Sequence, residues 1–138
     1  MKFGMKRNEA GFSLVELMIV VGIIGILASL AMPKMQVFMA KARQTEGKGI
    51  ITNIYALQQS YFTENNTFNA TPATIGYVHN TGSKWNAPTI AAGAAGIATS
   101  FTSSTTNAVA LCTGVAVGAN TISGNELGAI TAPAPACN

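Results

Sequence analysis

The hydrophobic positions divide this chain into an uninterrupted apolar block, a helical segment with a one-sided apolar stripe, and a region of short alternating runs. The apolar block covers residues 12–32 and carries no charge after Glu16. About 21 residues rising 1.5 Å each span about 31 Å, which matches the hydrocarbon core of a bilayer. The block therefore predicts a membrane helix.

The helical pattern resumes after Pro33 and continues to about Phe62. A helix from Phe12 to Phe62 would be about 75 Å long, too long for one domain of this size to cover. We expect its N-terminal half to protrude into a membrane or a filament core, and Gly47 and Gly49 to mark a second bend. The apolar stripe of its C-terminal half consists of Met35, Met39, Ala42, Ile50, Ile54, Leu57 and Tyr61.

The C-terminal region reads as a polar loop to Pro88, followed by apolar and Thr-rich runs separated by Gly and Asn. Several short strands joined by turns suggest a small antiparallel sheet packed on the C-terminal half of the helix, so the predicted fold class is α+β. We expect Trp85 to cap the small core and His79 to be a loop residue. The predicted strands are Ile75–Val78, Gly96–Thr102, Ala108–Thr113 and Val115–Ile122.

Composition changes this picture only in the choice of partners. The 138 residues suffice for one small domain and only 9% are charged, against roughly 25% in an ordinary soluble domain. The net charge of +3 comes from Lys and Arg on both sides of the apolar block, and Lys84 is the single Lys or Arg after residue 48. No specific nucleic-acid partner is predicted. By the positive-inside rule, the residues ahead of the block stay cytoplasmic and the C-terminal part lies outside.

Residues suited to catalysis or metal binding are scarce. The chain has no Asp, one His and two Cys, and the Cys lie far from His79, which gives no zinc-ligand spacing. No Gly-rich phosphate loop precedes a helix. We therefore predict no catalytic residue, no metal site and no cofactor, and conclude that the protein is not an enzyme.

Glu16 separates three interpretations of the apolar block. A secretory signal peptide cut after Ala31 would fit the small-residue requirement, but the block exceeds the usual roughly 7–15 residues. A plain single-pass anchor leaves Glu16 unexplained, because an ionised carboxylate costs about 2.5–3.5 kcal/mol at a bilayer centre. The third interpretation is a processed segment that assembles with other chains, in which Glu16 has a role.

The sequence GFSLVE at residues 11–16 strongly resembles the processing site of type IV prepilins. In that family a membrane aspartic protease, the prepilin peptidase, cuts after the glycine and methylates the new N-terminus. The resemblance implies a cleaved leader over residues 1–11, a cut between Gly11 and Phe12, and a methylated Phe12. It also implies that Glu16 pairs with the terminal amine of a neighbouring subunit, since a buried amine needs a partner.

Other features of the block fit the same family. Pro33 falls where type IV pilins commonly carry a proline, and it removes one helical hydrogen bond. Gly22 and Gly25 weaken the helix by about 1 kcal/mol each relative to Ala, or permit close helix packing. We expect residues 12–33 to form the transmembrane and filament-core helix and residues 34–138 to form the globular head.

The two cysteines, Cys112 and Cys137, can pair if the chain is exported; two free thiols are the alternative. A closed loop of about 25 residues contributes about 3.5 kcal/mol in the chain-entropy model. In type IV pilins a C-terminal disulfide commonly encloses a variable, exposed region, and the placement here fits.

The resemblance implies a type IV pilin: a structural subunit held in the bacterial inner membrane before assembly, and afterwards part of an extracellular pilus. The implied roles are adhesion, twitching motility or DNA uptake. The implied partners are identical or related pilin subunits, the prepilin peptidase and the inner-membrane assembly platform. The sequence leaves the start open between Met1 and Met5.

Two alternatives remain. One is a pseudopilin of a type II secretion system. Major pseudopilins often bind calcium through acidic residues in a C-terminal loop, whereas the only acidic residues after residue 48 of this chain are Glu64 and Glu126. The other is a solitary membrane-anchored binding protein, which would need neither Glu16 nor cleavage.

Overall fold

A computed structural model describes residues 11–93, 95–112 and 118–134. These residues form one long helix followed by four strands, which pair antiparallel in the order of the chain. The predicted α+β fold, a long N-terminal helix with a small antiparallel sheet, is confirmed. The elements are α1 (Leu14–Asn65), β1 (Thr89–Ala92), β2 (Phe101–Thr106), β3 (Thr121–Asn125) and β4 (Ile130–Thr131).

The chain divides into two compact units, Met1–Lys34 and Met35–Asn138. Every described residue of the first unit is exposed. Its apolar stretch has a mean hydropathy of 2.6 over 18 residues with none of them buried, so α1 is long and apolar enough to cross a membrane. Pro33 lies inside α1, which continues on both sides of it.

In the second unit, one face of α1 packs on the sheet. The buried positions follow each other at steps of four and three: Ala40, Gln44, Gly47, Ile51, Ile54 and Gln58. The predicted apolar stripe is therefore only partly right. Ile54 is buried, but Met35 and Met39 are 63% and 52% exposed, and Ala42 is exposed too.

The packing of Trp85 explains why this face of α1 is the buried one. Its side chain is 1% exposed, and its Nε1 donates a hydrogen bond of 2.8 Å to the carbonyl of Arg43. A Cβ at Gly47 would lie 2.6 Å from Cε2 of Trp85 and 2.8 Å from Cδ1 of Ile122. Gly47 thus lets the indole lie directly on the helix. The helix is continuous through Gly47 and Gly49. Trp85, predicted to cap the small core, lies at its centre.

A second group of core residues lies farther along the helix, around Ile54. There the ring of Phe68 stacks on Phe62 at 4.6 Å and packs against Phe101 at 4.9 Å. Ile75 and Tyr77 are buried in the same group, although they belong to a turn and an irregular segment. The predicted strand Ile75–Val78 is therefore wrong, because its apolar residues reach the core from a loop.

The remaining strand predictions are shifted or wrong. Residues 96–100 form turns, with the amide of Ser100 bonded to the carbonyl of Gly96, and β2 begins only at Phe101. Ala108–Leu111 and Cys112 are irregular, and Thr113 lies outside the described residues. Of Val115–Ile122, residues 115–117 lie outside them, and β3 begins at Thr121. Strands β1 and β4 were not predicted.

The strands were hard to predict because small polar residues occupy their buried positions. In β2 the inward side chains after Phe101 are Ser103 and Thr105, each 2% exposed. On the opposite face a row of hydroxyls crosses all four strands in register, formed by Thr89, Ser104, Ser123 and Thr131. With Ser and Thr on both faces, the sequence shows little of the alternation that identifies a half-buried strand.

The end of α1 lies three residues beyond the predicted Phe62. Asn66 follows the last helical residue, with a positive φ of 54°, and its amide donates to the carbonyl of Phe62 at 2.8 Å. A left-handed residue directly after a helix is a common terminator, and Asn tolerates that conformation better than most residues.

Candidate functional site

The first turn of α1 is held by Ser13. Its Oγ accepts a hydrogen bond of 3.1 Å from the amide of Glu16, and its carbonyl accepts one of 3.2 Å from the amide of Leu17. Ser followed three residues later by Glu is the spacing of a capping box, and a carboxylate is favoured near a helix N-terminus. Glu16 therefore has a local structural reason to be where it is. The Ser-x-x-Glu spacing is the sequence signal of this N-cap, which was not among the features predicted above.

The predicted cleavage point lies directly ahead of this turn. Gly11 and Phe12 are in non-helical backbone, Phe12 is 82% exposed, and the space beside Gly11 is open. Residues 1–10 of the predicted leader lie outside the described residues. Gly11 and Phe12, between which cleavage is predicted, are thus both exposed and lie just ahead of the helical turn that contains Glu16.

The apolar part of α1 after Glu16 exposes its side chains on all sides. Its large hydrophobic residues from Leu17 to Met32 are between 44% and 67% exposed. An exposed apolar surface of this extent marks contact with lipid or with other protein. Lipid and a neighbouring apolar helix both satisfy it, so the apolar surface alone does not distinguish an anchor from an assembly surface.

Gly22 and Gly25 are not required by the fold of the chain itself. A Cβ added at either position would meet no heavy atom within 4 Å. Small residues on a membrane helix let a second helix approach closely. Both glycines are thus free to serve packing by another chain.

Cys112 belongs to the second unit and is disulfide-bonded. Cys137 lies outside the described residues, so its pairing with Cys112 stays a prediction. Arg43 holds the segment next to Cys112, because its Nη1 donates to the carbonyls of Ala110 at 2.9 Å and Leu111 at 3.0 Å.

A buried amide network fixes the same region from the helix. The Nε2 of Gln44 donates to Oδ1 of Asn120 at 3.1 Å and to the carbonyl of Pro133. Asn107 accepts from the amide of Asn120 at 2.8 Å through its Oδ1. The helix therefore positions both the segment between β2 and β3 and the chain after β4. The apolar pattern of the sequence could not predict that these side chains are buried, because all three are polar.

The described residues include no group of three or more His, Cys, Asp or Glu side chains placed to hold a metal ion. His79 is in irregular structure, as predicted, and its Nδ1 lies 3.4 Å from the hydroxyl of Tyr77. Burial raises the pKa of that Tyr77 hydroxyl.

Comparison of the sequence with known proteins identifies the family. Residues 6–32 match the model described as the prokaryotic N-terminal methylation motif. The type IV major pilin protein PilA of Myxococcus xanthus is 40% identical over 79 residues, covering 57% of this chain and 36% of that protein. The fimbrial protein EcpC of Eikenella corrodens is 32% identical over 103 residues, covering 73% and 67%. The chain belongs to the type IV pilin family.

This pilin is also similar to the type II secretion system core protein G of Pseudomonas aeruginosa, with 38% identity over 66 residues, covering 48% of the pilin and 46% of that protein. It spans between 36% and 67% of the length of these three relatives. These similarities show that the chain is a pilin-like structural subunit. The prediction that it is not an enzyme is confirmed by these relatives, which are structural pilins and fimbrial proteins.

Proposed function

We propose that this pilin is the subunit of a type IV pilus, exported with a leader that a prepilin peptidase removes between Gly11 and Phe12. The observation that carries the proposal is the combination at the start of α1. An accessible Gly-Phe bond and Glu16 stand immediately ahead of an apolar segment that is exposed on all sides. A plain membrane anchor requires neither the Gly11–Phe12 cleavage site nor Glu16.

Glu16 has two roles in this proposal. Its backbone amide donates to Oγ of Ser13 in the first helical turn, where its negative charge is favoured by the helix N-terminus. After cleavage its carboxylate faces the methylated amine of Phe12 from a neighbouring subunit. An amine carried into an apolar interior requires a negative partner, and Glu16 is the one carboxylate between Phe12 and Glu46. The pairing fixes the axial position of each incoming subunit.

Packing of the apolar segments supplies the filament core. Lipid tails are as apolar as a neighbouring helix, so leaving the membrane gains little from the hydrophobic effect. Close approach at Gly22 and Gly25 and the amine–Glu16 pair therefore provide the preference for the filament. Pro33 removes one backbone donor, which leaves the carbonyl of Ser29 without its helical partner and eases local extension of the helix.

The precursor resides in the bacterial inner membrane and the assembled subunit in an extracellular pilus. Its partners are identical or related pilin subunits, the prepilin peptidase and the inner-membrane assembly platform. The roles that follow are adhesion, twitching motility or DNA uptake. The similarity to type IV major pilins supports this placement.

The second candidate is a pseudopilin of a type II secretion system, favoured by the similarity to core protein G. Deletion of the chain, followed by electron microscopy of sheared surface fibres and assay of secreted enzymes, separates the two. The pilus proposal expects loss of fibres with secretion intact. Normal fibres together with a secretion defect would overturn it in favour of the pseudopilus.

The role of Glu16 has its own test. Glu16→Gln keeps the side-chain length and retains helix propensity, but removes the charge that pairs with the amine. The expected result is normal cleavage with at least a tenfold loss of fibres, equivalent to about 1.4 kcal/mol or more. Ser13→Ala is the matched control, because it removes the cap contact and keeps the charge; its fibres should persist. Abundant fibres from Glu16→Gln would refute the pairing.

A further inference from the structure

Two lysines and two glutamates of α1 lie on opposite flanks of the helix in the second unit. Lys41 and Lys48 are seven residues apart, which places them about 20° from each other around the helix axis. Glu46 and Glu64 are 18 residues apart, five complete turns, and share one direction. The lysine direction and the glutamate direction differ by about 140–160°. The sheet covers the face between them, so the charges emerge on two separate sides.

The two lysines form no ion pair with a carboxylate in the part of the chain that the structure describes. Both are exposed. They line a surface depression of about 350 Å³ together with Thr45 and with Ala132 from the segment after β4. This depression is referred to below as the basic flank.

The glutamate side differs in that one of its two carboxylates is already used. Oε1 of Glu46 accepts hydrogen bonds from Oγ of Ser83 at 2.6 Å and from the amide of Lys84 at 3.2 Å. Glu64 is exposed and forms no ion pair with a described residue. It lines a depression of about 260 Å³ with Tyr61 and the turn around Thr74, referred to below as the acidic flank.

We propose that the basic flank of one subunit docks against the acidic flank of a second copy of this chain, with Lys41 and Lys48 pairing with Glu64. The inference rests on the proposed function, because a filament is a head-to-tail assembly. Such an interface needs two different complementary surfaces on one subunit, and repeating it without closure generates an open helix. This chain, in which only 9% of residues are charged, places opposite unpaired charges on just such a pair of surfaces.

The positions along the helix set the offset between the paired copies. Glu64 follows Lys48 by 16 residues and Lys41 by 23, which corresponds to about 24–35 Å along α1. If the helices of neighbouring subunits are parallel, Glu64 of one subunit therefore meets the basic flank of a copy that is displaced by that distance towards the C-terminal end of α1. Exposed charge pairs contribute mainly specificity and register, so the effect is expected in assembly and not in folding.

Charge reversal in cells that assemble the full chain tests the inference. The double variant Lys41→Glu with Lys48→Glu, and separately Glu64→Lys, should each lower the yield of sheared fibres about fivefold or more through like-charge repulsion. Combining all three substitutions restores the opposite charges and should return the yield to within about twofold of the unmodified chain. Lys84→Glu makes the same charge change away from the basic flank and should leave the yield unchanged.

A cross-link reads the contact directly. The pair Lys48→Cys with Glu64→Cys should give a ladder of linked subunits on a non-reducing gel of oxidised fibres, whereas Lys84→Cys with Glu64→Cys should not. The inference is overturned by unchanged fibres after reversal, by no rescue in the triple variant, or by fibres that lose only nucleic-acid binding. If the unmodified chain forms no fibres at all, the proposed function fails, and the flank pairing fails with it.

Discussion

Gly47 offers the sharpest test of the packing between α1 and the sheet. In Gly47→Ala, the new Cβ would lie 2.6 and 2.7 Å from two ring carbons of Trp85 and 2.8 Å from Cδ1 of Ile122. The indole is rigid, 1% exposed and bonded through Nε1 to the carbonyl of Arg43. It cannot move aside without giving up that bond or its contact with Ile122.

The expected magnitude follows from three terms. Overpacking of a filled core costs about 1–3 kcal/mol, and weakening the indole hydrogen bond costs about 1 kcal/mol more. Replacing Gly by Ala inside a helix returns about 1 kcal/mol. The net prediction is that Gly47→Ala lowers the free energy of unfolding by about 1–3 kcal/mol.

Gly49 provides the matched control on the same helix. A Cβ there meets no heavy atom within 4 Å, so Gly49→Ala should raise the free energy of unfolding by about 0.5–1 kcal/mol. The assay is urea denaturation of the detergent-purified protein, followed by the fluorescence of Trp85, the single tryptophan. If Gly47→Ala proved as stable as Gly49→Ala, the close contact between Trp85 and the helix would be refuted.

Three further predictions concern the head. Gln58→Ala should lower the free energy of unfolding by about 2–4 kcal/mol in the same urea assay. The buried side-chain amide of Gln58 donates to the carbonyl of Asn69 and accepts from the backbone amide of Asn69, and both bonds would be lost. A loss below about 0.5 kcal/mol would contradict this. Ser103→Ala should be neutral or stabilising by up to about 1 kcal/mol, since the buried Oγ of Ser103 has no hydrogen-bond partner among the described residues; clear destabilisation would show a missed bond. Burial raises the pKa of Tyr77, so its stabilising contribution is full below the unfolded pKa of about 10 and is lost as the pH rises through the folded value. Urea midpoints between about pH 8 and 11 should therefore fall less in Tyr77→Phe than in the unmodified chain, and equal slopes would argue against the shift.

The N-terminal half of the molecule was predictable because its signal is local. An apolar run of this length without charge after Glu16 predicts a helix of membrane type. The Gly-Phe-x-x-x-Glu spacing adds the prediction of a processing site, which apolarity alone does not give. The role of Ser13 as the N-cap was predictable from the same residues.

The head was less predictable because its buried face of α1 is not apolar. Three of the buried positions are Gln44, Gly47 and Gln58, whose polar or absent side chains do not contribute to an apolar stripe. The true face depends on partners distant in sequence, such as Trp85 against Gly47 and Asn69 against Gln58. No local pattern could reveal those pairs.

The acidic and basic flanks show the same limitation. Lys41, Lys48 and Glu64 are visible in the sequence, but their directions acquire meaning only once the sheet is known to cover the face between them. An apolar stripe centred on Met39 and Ala42 would have put the lysines in different positions relative to the core. The surface proposal therefore depends on the helix face found in the structure.

The central claim is that the chain becomes an assembling subunit by cleavage ahead of α1, and the mass of its mature N-terminus tests this most directly. N-terminal peptides from sheared fibres, or from the membrane fraction, should begin at Phe12 and carry one added methyl group. A mature protein that begins at Met1 or Met5, or after Ala31, would contradict the account.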